Sequence, residues 1–174
     1  MSDPSLESGS GDVKVEVVRS RRRRKTITAE RREGRVVVRL PVGLSRAEER
    51  RWVTQMVGRL EERERTERLN ARRHLARAAR RLNEEYFEGR LSWRSIRYVS
   101  NQNDRFGSCT PEVGTIRISH RVADYPVWVR EYVVLHELAH LDESAHTPRF
   151  WRLVDRYPFA ERARGFLMAK GWEE

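Results

Sequence analysis

Between Tyr132 and Leu141 the chain reads YVVLHELAHL, in which every residue other than His136, Glu137 and His140 is apolar or a tyrosine. A helix with this pattern has no polar face to offer to water, so it is buried on most sides and the rest of the chain must be wrapped around it. Burial then leaves three polar groups where solvent cannot serve them. An ionised carboxylate unpaired in such a setting costs several kcal/mol, and imidazoles without hydrogen bonds add to that. Because an α-helix turns about 100° per residue, His136 and His140 lie about 40° apart on one face, and Glu137 stands about 60° from His140. Both imidazoles reach a single ion, with the carboxylate beside it. One bound divalent cation resolves all three groups, where two ordinary core histidines would each need a separate hydrogen-bond partner.

A third ligand has to come from outside that helix. His146 follows His140 after five residues, and Thr147-Pro148 reads as the N-cap and first residue of a new helix, so the chain must reverse between His140 and His146. HExxH followed by this third histidine is the outline of a zinc hydrolase site. The three histidines are spaced as in the metzincins, but Glu143 stands where those proteins carry a glycine, so the turn toward His146 must differ. Asp142 and Glu143 are the alternatives for the third ligand.

A chain of 174 residues is long enough for one domain with a real core. Residues 1–12, MSDPSLESGSGD, have little to bury and read as a disordered tail, with a single domain over 13–174. Within it, 13–92 is expected to supply β-hairpins and two helices, and 93–174 the metal-binding core. The formal charge of +10 is carried almost wholly by arginine, since Lys14, Lys25 and Lys170 are the only lysines. Such a field suits polyanions, nucleic acid or nucleotides among them, although many of these arginines stand beside glutamates, as in EERERTER. Cys109 is the only cysteine, which excludes an intrachain disulfide. The N-terminus lacks the basic-then-apolar order of a secretory signal, and no run approaches about 18 apolar residues. The expectation is a cytoplasmic protein without a membrane span.

From Val13 the pattern is of short strands: VKVEVV, then KTITAERR and RVVVRLP, with Glu33-Gly34 as the turn between the last two, in a small antiparallel sheet. Ser45 with Glu48 is a capping-box signature opening a helix from about 46 to 66. A second helix, from about Asn70 to Phe87, buries Leu75, Ala79, Leu82 and Tyr86. Strands return as SIRYVS (95–100), RFGSCT (105–110) and TIRISHRV (115–122), with His120 the one polar residue on the apolar face of the last. Pro126 then opens the HExxH helix, Pro148 opens the next, and a final helix runs from about Ala160 to Lys170.

In this order the chain resembles the YgjP-like metallopeptidases, relatives of the SprT-like zinc proteins. The resemblance rests on RSRRRRKTITAERREGRVVVRLP (19–41), NDRFGSCTPEVGTIRIS (103–119), YVVLHELAHL and HTPRFW (146–151), and spans about Val15 to Trp172. Two positions depart from the family pattern: Phe106 stands where a tryptophan usually precedes Gly-Ser-Cys, and His120 where an asparagine is usual. The resemblance implies an α+β, minimal zincin-like fold with small antiparallel sheets. It also implies zinc on His136, His140 and His146, with Glu137 as the catalytic acid/base of a peptidase acting on polypeptide.

Zinc held by three neutral imidazoles keeps a fourth position for water and lowers its pKa to about 7, and Glu137 is placed to take the proton. Tyr157, Arg105 and His120 are the candidates for a further donor to the oxygen of the bond attacked. A peptide would lie along RFGSCT or TIRISHRV as an added strand, and Gly107 would permit close backbone approach. Two other activities are implied by the resemblance, a metal-dependent nucleotide (UTP) pyrophosphatase and a protease associated with DNA. No glycine-rich phosphate loop supports the former and no DNA-reading module the latter.

Overall fold

In each of two three-stranded sheets the most buried strand takes the centre. The computed structural model describes residues 14–171, so the tail expected over 1–12 lies outside the described residues. The first sheet contains β1 (Val15–Ser20), β2 (Thr28–Arg32) and β3 (Arg35–Pro41) in the order β1-β3-β2. Val36, Val37, Val38 and Leu40 of β3 are all buried, whereas β1 and β2 are half-buried or exposed throughout. A strand buried on both faces needs a neighbour on each side, and charged strands suit the edges.

This rule overturns the expected antiparallel arrangement. β2 and β3 do form an antiparallel hairpin, through Glu33 (φ 48°) and Gly34 (φ 77°), the paired positive φ values that match a two-residue turn to strand twist. β1, however, pairs with the far side of β3 and runs parallel to it, Val17 opposite Val38. The second sheet repeats the solution. β4 (Ser95–Val99), β5 (Gly107–Thr110) and β6 (Thr115–Ser119) lie in the order β4-β6-β5, with β4 parallel and β5 antiparallel to β6, whose Ile116 and Ile118 are fully buried. Both sheets are therefore mixed, and the architecture is α+β.

The chain divides into two compact units, Met1–Glu64 and Arg65–Glu174, with the boundary inside α1 (Arg46–Ala71). In the first unit, Trp52, Val53, Met56, Val57 and Leu60 of α1 pack on Val36, Val38 and Leu40. The capping box forms as read: the Ser45 backbone N–H donates to Glu48 at 2.8 Å, and the Glu48 N–H donates to the Ser45 hydroxyl at 3.3 Å. The second unit holds α2 (His74–Phe87), the second sheet, α3 (Val127–Ala139), α4 (Pro148–Val154) and α5 (Ala160–Met168). α2, grouped by sequence with the N-terminal elements of 13–92, lies in this second unit, where Leu75, Ala79, Leu82 and Tyr86 join the core around α3. From Tyr132 to Ala139 every residue of α3 is buried.

One strand ends earlier than its pattern suggested. β6 stops at Ser119, and His120–Asp124 form a 3₁₀ turn. The ladder has run out of partners there: β4 ends at Val99 opposite Ser119, and β5 begins at Gly107 opposite Ile118. Among the described residues no helix is long and apolar enough to cross a membrane.

The chain leaving α2 is held by a buried amide. The Asn83 side chain donates to the Leu91 carbonyl at 3.0 Å and accepts from the Leu91 N–H at 3.2 Å. Asn83→Ala strands both backbone groups, and should lower stability in urea denaturation by about 2 kcal/mol with an unchanged m-value. A loss within about 0.5 kcal/mol, the range of ordinary surface substitutions, would show that the pair does not pin this loop.

Candidate metal centre

α3 carries His136 in its last turn, with His140 as the residue that caps it. The Asp142 and Glu143 N–H groups both bond the Ala139 carbonyl, which winds the chain off the helix axis. α4 then begins at Pro148 behind Thr147, whose hydroxyl accepts from the Phe150 N–H at 3.3 Å. His146 therefore arrives just before a new helix, on a chain that has turned back.

Ligand atoms of His136, His140 and His146 all lie within 4.8 Å of one another. His136 Nε2 and His146 Nε2 face each other at 3.1 Å. His140 Nδ1 is 3.2 Å from the Glu143 carbonyl, to which it must donate, so its Nε2 carries the free lone pair. The rings are held by the two aromatics of α4. His140 stacks on Phe150 (4.5 Å, 29° between planes), and His146 stacks on Trp151 (5.4 Å, 18°). Asp142 is committed elsewhere, in ion pairs with Arg90 at 2.7 Å and Arg149 at 3.4 Å, and Arg90 holds its carboxyl below the usual range. Glu143 contributes its backbone carbonyl to His140, and neither acid belongs to the group able to hold an ion.

Burial dominates the electrostatics. It pushes His136 down to about 3, with His140, His146 and Arg164 adding their repulsion, so this imidazole is neutral and its lone pair is available. His140 is lowered for the same first reason. Glu137 is pushed up to about 8 by burial, against the opposing charge of Arg105, and its Oε2 is buried without a hydrogen-bond partner. A buried imidazole whose nitrogen faces another beside an unserved carboxyl is costly as it stands and suits a divalent cation, and three histidine nitrogens are a zinc-type donor set. The residues present fit such an ion. Cys109 does not join them: burial, with Glu137 nearby, pushes its thiol up to about 12.

The site opens into a cleft of about 410 Å³, lined among others by Arg105, Gly107, Tyr132, His136, Glu137 and His146. Of the three candidate donors only Arg105 lines it. The Tyr157 hydroxyl is engaged with the Trp128 carbonyl (3.1 Å) and Glu131 (3.2 Å), and His120 Nδ1 lies 3.3 Å from the Val99 carbonyl. Sequence reading passed over Tyr132 as core. It stands four residues before His136 and shares its face of the helix, which is the signal that could have found it.

Three convergent imidazoles around a buried carboxyl, on an α+β frame, describe a metalloprotein centre. The model of the YgjP-like metallopeptidase domain matches residues 59–167, more than half of the chain, and the protein belongs to that family. By family it is a metallopeptidase, a class that acts on polypeptides. The chain is also similar to the crystal structure of the metallopeptidase zymogen of Pyrococcus abyssi abylysin, at 22% identity over 55% of this chain and 93% of that one, with a TM-score of 0.49. No curated protein matches.

The two buried groups set opposite pH windows for the metal-free protein. Between its ordinary 4.5 and about 8, Glu137 is ionised in the unfolded chain but protonated in the folded one, so its stabilising share is full below 4.5 and is lost as pH rises through that window. His136 contributes stability that is present above its ordinary 6.5 and lost as pH falls toward about 3. Glu137→Gln removes the first dependence alone. In chelator, wild-type stability relative to that variant should fall by on the order of 4 kcal/mol from the lower to the upper end of the Glu137 window. Urea titrations giving parallel pH curves for the two proteins would contradict this placement of the carboxyl.

Proposed function

We propose that the protein is a zinc-dependent peptidase in which His136, His140 and His146 hold the metal and Glu137 is the general base and acid. The observation that carries this reading is the meeting of three imidazoles within 4.8 Å, with a fully buried carboxyl one residue along from the first of them. When bound, the ion supplies Lewis acidity toward the scissile carbonyl and toward water. Glu137 takes a proton from the attacking water and delivers it to the leaving amide nitrogen. Dry surroundings raise its proton affinity in the metal-free protein, and the charge of a bound ion would oppose that rise and favour the carboxylate that accepts the proton. Arg105, exposed and lining the cleft, would be the donor that steadies the developing oxyanion.

Substrate orientation follows from the sheet. β5 is an outer strand in the order β4-β6-β5, and its Gly107, Ser108 and Cys109 line the cleft. An extended polypeptide adding to that edge gains main-chain hydrogen bonds without regard to side-chain identity. A nucleoside triphosphate or a nucleic-acid strand is served less well here: the cleft lining holds one arginine and no lysine, against Asp104 and Glu137. Triphosphate recognition uses several cations acting together.

Glu137→Gln should retain zinc at one equivalent while turnover of an unfolded polypeptide falls by about 10²–10⁴-fold. Metal content by elemental analysis and hydrolysis by peptide release decide it. Full activity in the variant would remove Glu137 from the mechanism. Hydrolysis of nucleoside triphosphates but not of polypeptide would replace the peptidase reading.

A further inference from the structure

The edge strand carries a glycine whose backbone does not ask for one. Gly107 is not among the positive-φ residues, and it pairs with Ile118 in the regular ladder between β5 and β6. Gly107 is the first residue of β5, and with an ordinary φ its backbone would accept any residue, so the reason for glycine lies in its surroundings. A Cβ built on Gly107 would meet the Glu137 side chain first, and that side chain supplies its three nearest atoms: Oε1, Cδ at 2.7 Å and Cγ at 2.8 Å. No real Cβ tolerates such contacts unless the neighbour moves away.

Glu137 cannot readily move. It is 5% exposed on the most deeply buried stretch of α3. The contrast with Gly89 is instructive: there a Cβ would also meet a carboxylate, that of Glu84 at 2.8 Å, but Glu84 is exposed and free to swing aside. At Gly58 and Gly165 a Cβ would meet nothing within 4 Å. Among the described glycines, Gly107 thus stands apart as the position where a missing side chain on one element is filled by a buried carboxyl from another.

We propose that Gly107 is a positioning residue: the absent side chain is a socket in β5 that seats the Glu137 carboxyl against the strand on which substrate is aligned. This deepens the peptidase reading and rests on it for the role of Glu137. Strand and base are thereby held in one register, so the atom that moves the proton keeps a set distance from a peptide added to the edge of β5. Any side chain at 107 would push the carboxyl out of this place or lift α3 from the sheet. The FGSC segment is therefore selected at its glycine for space rather than for flexibility.

The test is a double-mutant cycle of Gly107→Ala and Glu137→Ala, measured in chelator by urea denaturation and joined to kinetics on the zinc-loaded full chain. At a strand position of ordinary φ, glycine to alanine normally stabilises or changes little. Here Gly107→Ala should destabilise, and the penalty should vanish in the Glu137→Ala background, giving strong non-additivity. Zinc affinity by chelator competition should stay within about twofold, and KM likewise, while kcat of Gly107→Ala falls about 100-fold, as expected when a catalytic group is displaced by about an ångström. Should Gly107→Ala fail to fold, recovery of folding in the double variant supports the socket, and failure of both overturns it. Additive stabilities overturn it, and so does unchanged kcat in Gly107→Ala when Glu137→Gln is inactive. Turnover surviving in Glu137→Gln overturns the base assignment along with this inference, and that control tells the two failures apart.

Discussion

Everything around the site depends on the burial of α3 with its polar residues still in it. From Tyr132 to Ala139 no residue of the helix reaches solvent freely, yet His136 and Glu137 lie within that stretch. A core built only for stability would hold leucines there. The polar residues raise the free energy of the metal-free fold, and an ion shared among the imidazoles, as proposed, would offset that cost. Burial also sets the protonation of the metal-free site: the same dry surroundings lower the proton affinity of His136 and raise that of Glu137.

The elements next to α3 are arranged to keep these groups in place. α4 returns Phe150 and Trp151 against the rings of His140 and His146, so the segment that delivers the third histidine also braces the others. The Glu143 carbonyl sets the orientation of His140. β5 approaches so closely that a Cβ on Gly107 would meet the Glu137 carboxyl. Asp142, with Arg90 and Arg149, ties the turn between α3 and α4 to the surface instead of entering the site.

Much of this was legible in the chain. The apolar background of YVVLHELAHL announced a buried helix, and Thr147-Pro148 announced the cap that forces the reversal before His146. The capping box at Ser45 and the apolar stripe of α2 were local signals, and local signals survive folding because neighbouring residues carry them. What was not legible were pairings between distant segments. Strand patterns of this kind suggest antiparallel sheets, whereas the most buried strand of each sheet takes the middle and leaves one flanking pair parallel. β6 ended before His120 for a similar reason, since its length is set by where β4 and β5 stop.

The candidate donors illustrate the same division. Arg105, Tyr157 and His120 were equivalent in the sequence, each a polar residue near a motif. Only the packing separated them, by turning Tyr157 toward Glu131 and His120 toward Val99 while leaving Arg105 at the cleft. The sequence by itself determined which side chains could share an ion, because helical periodicity and cap chemistry act over a few residues. Tertiary structure alone decided what faces those side chains from across the cleft. Gly107 and Glu137 are thirty positions apart, and their contact depends on how a sheet edge meets a helix.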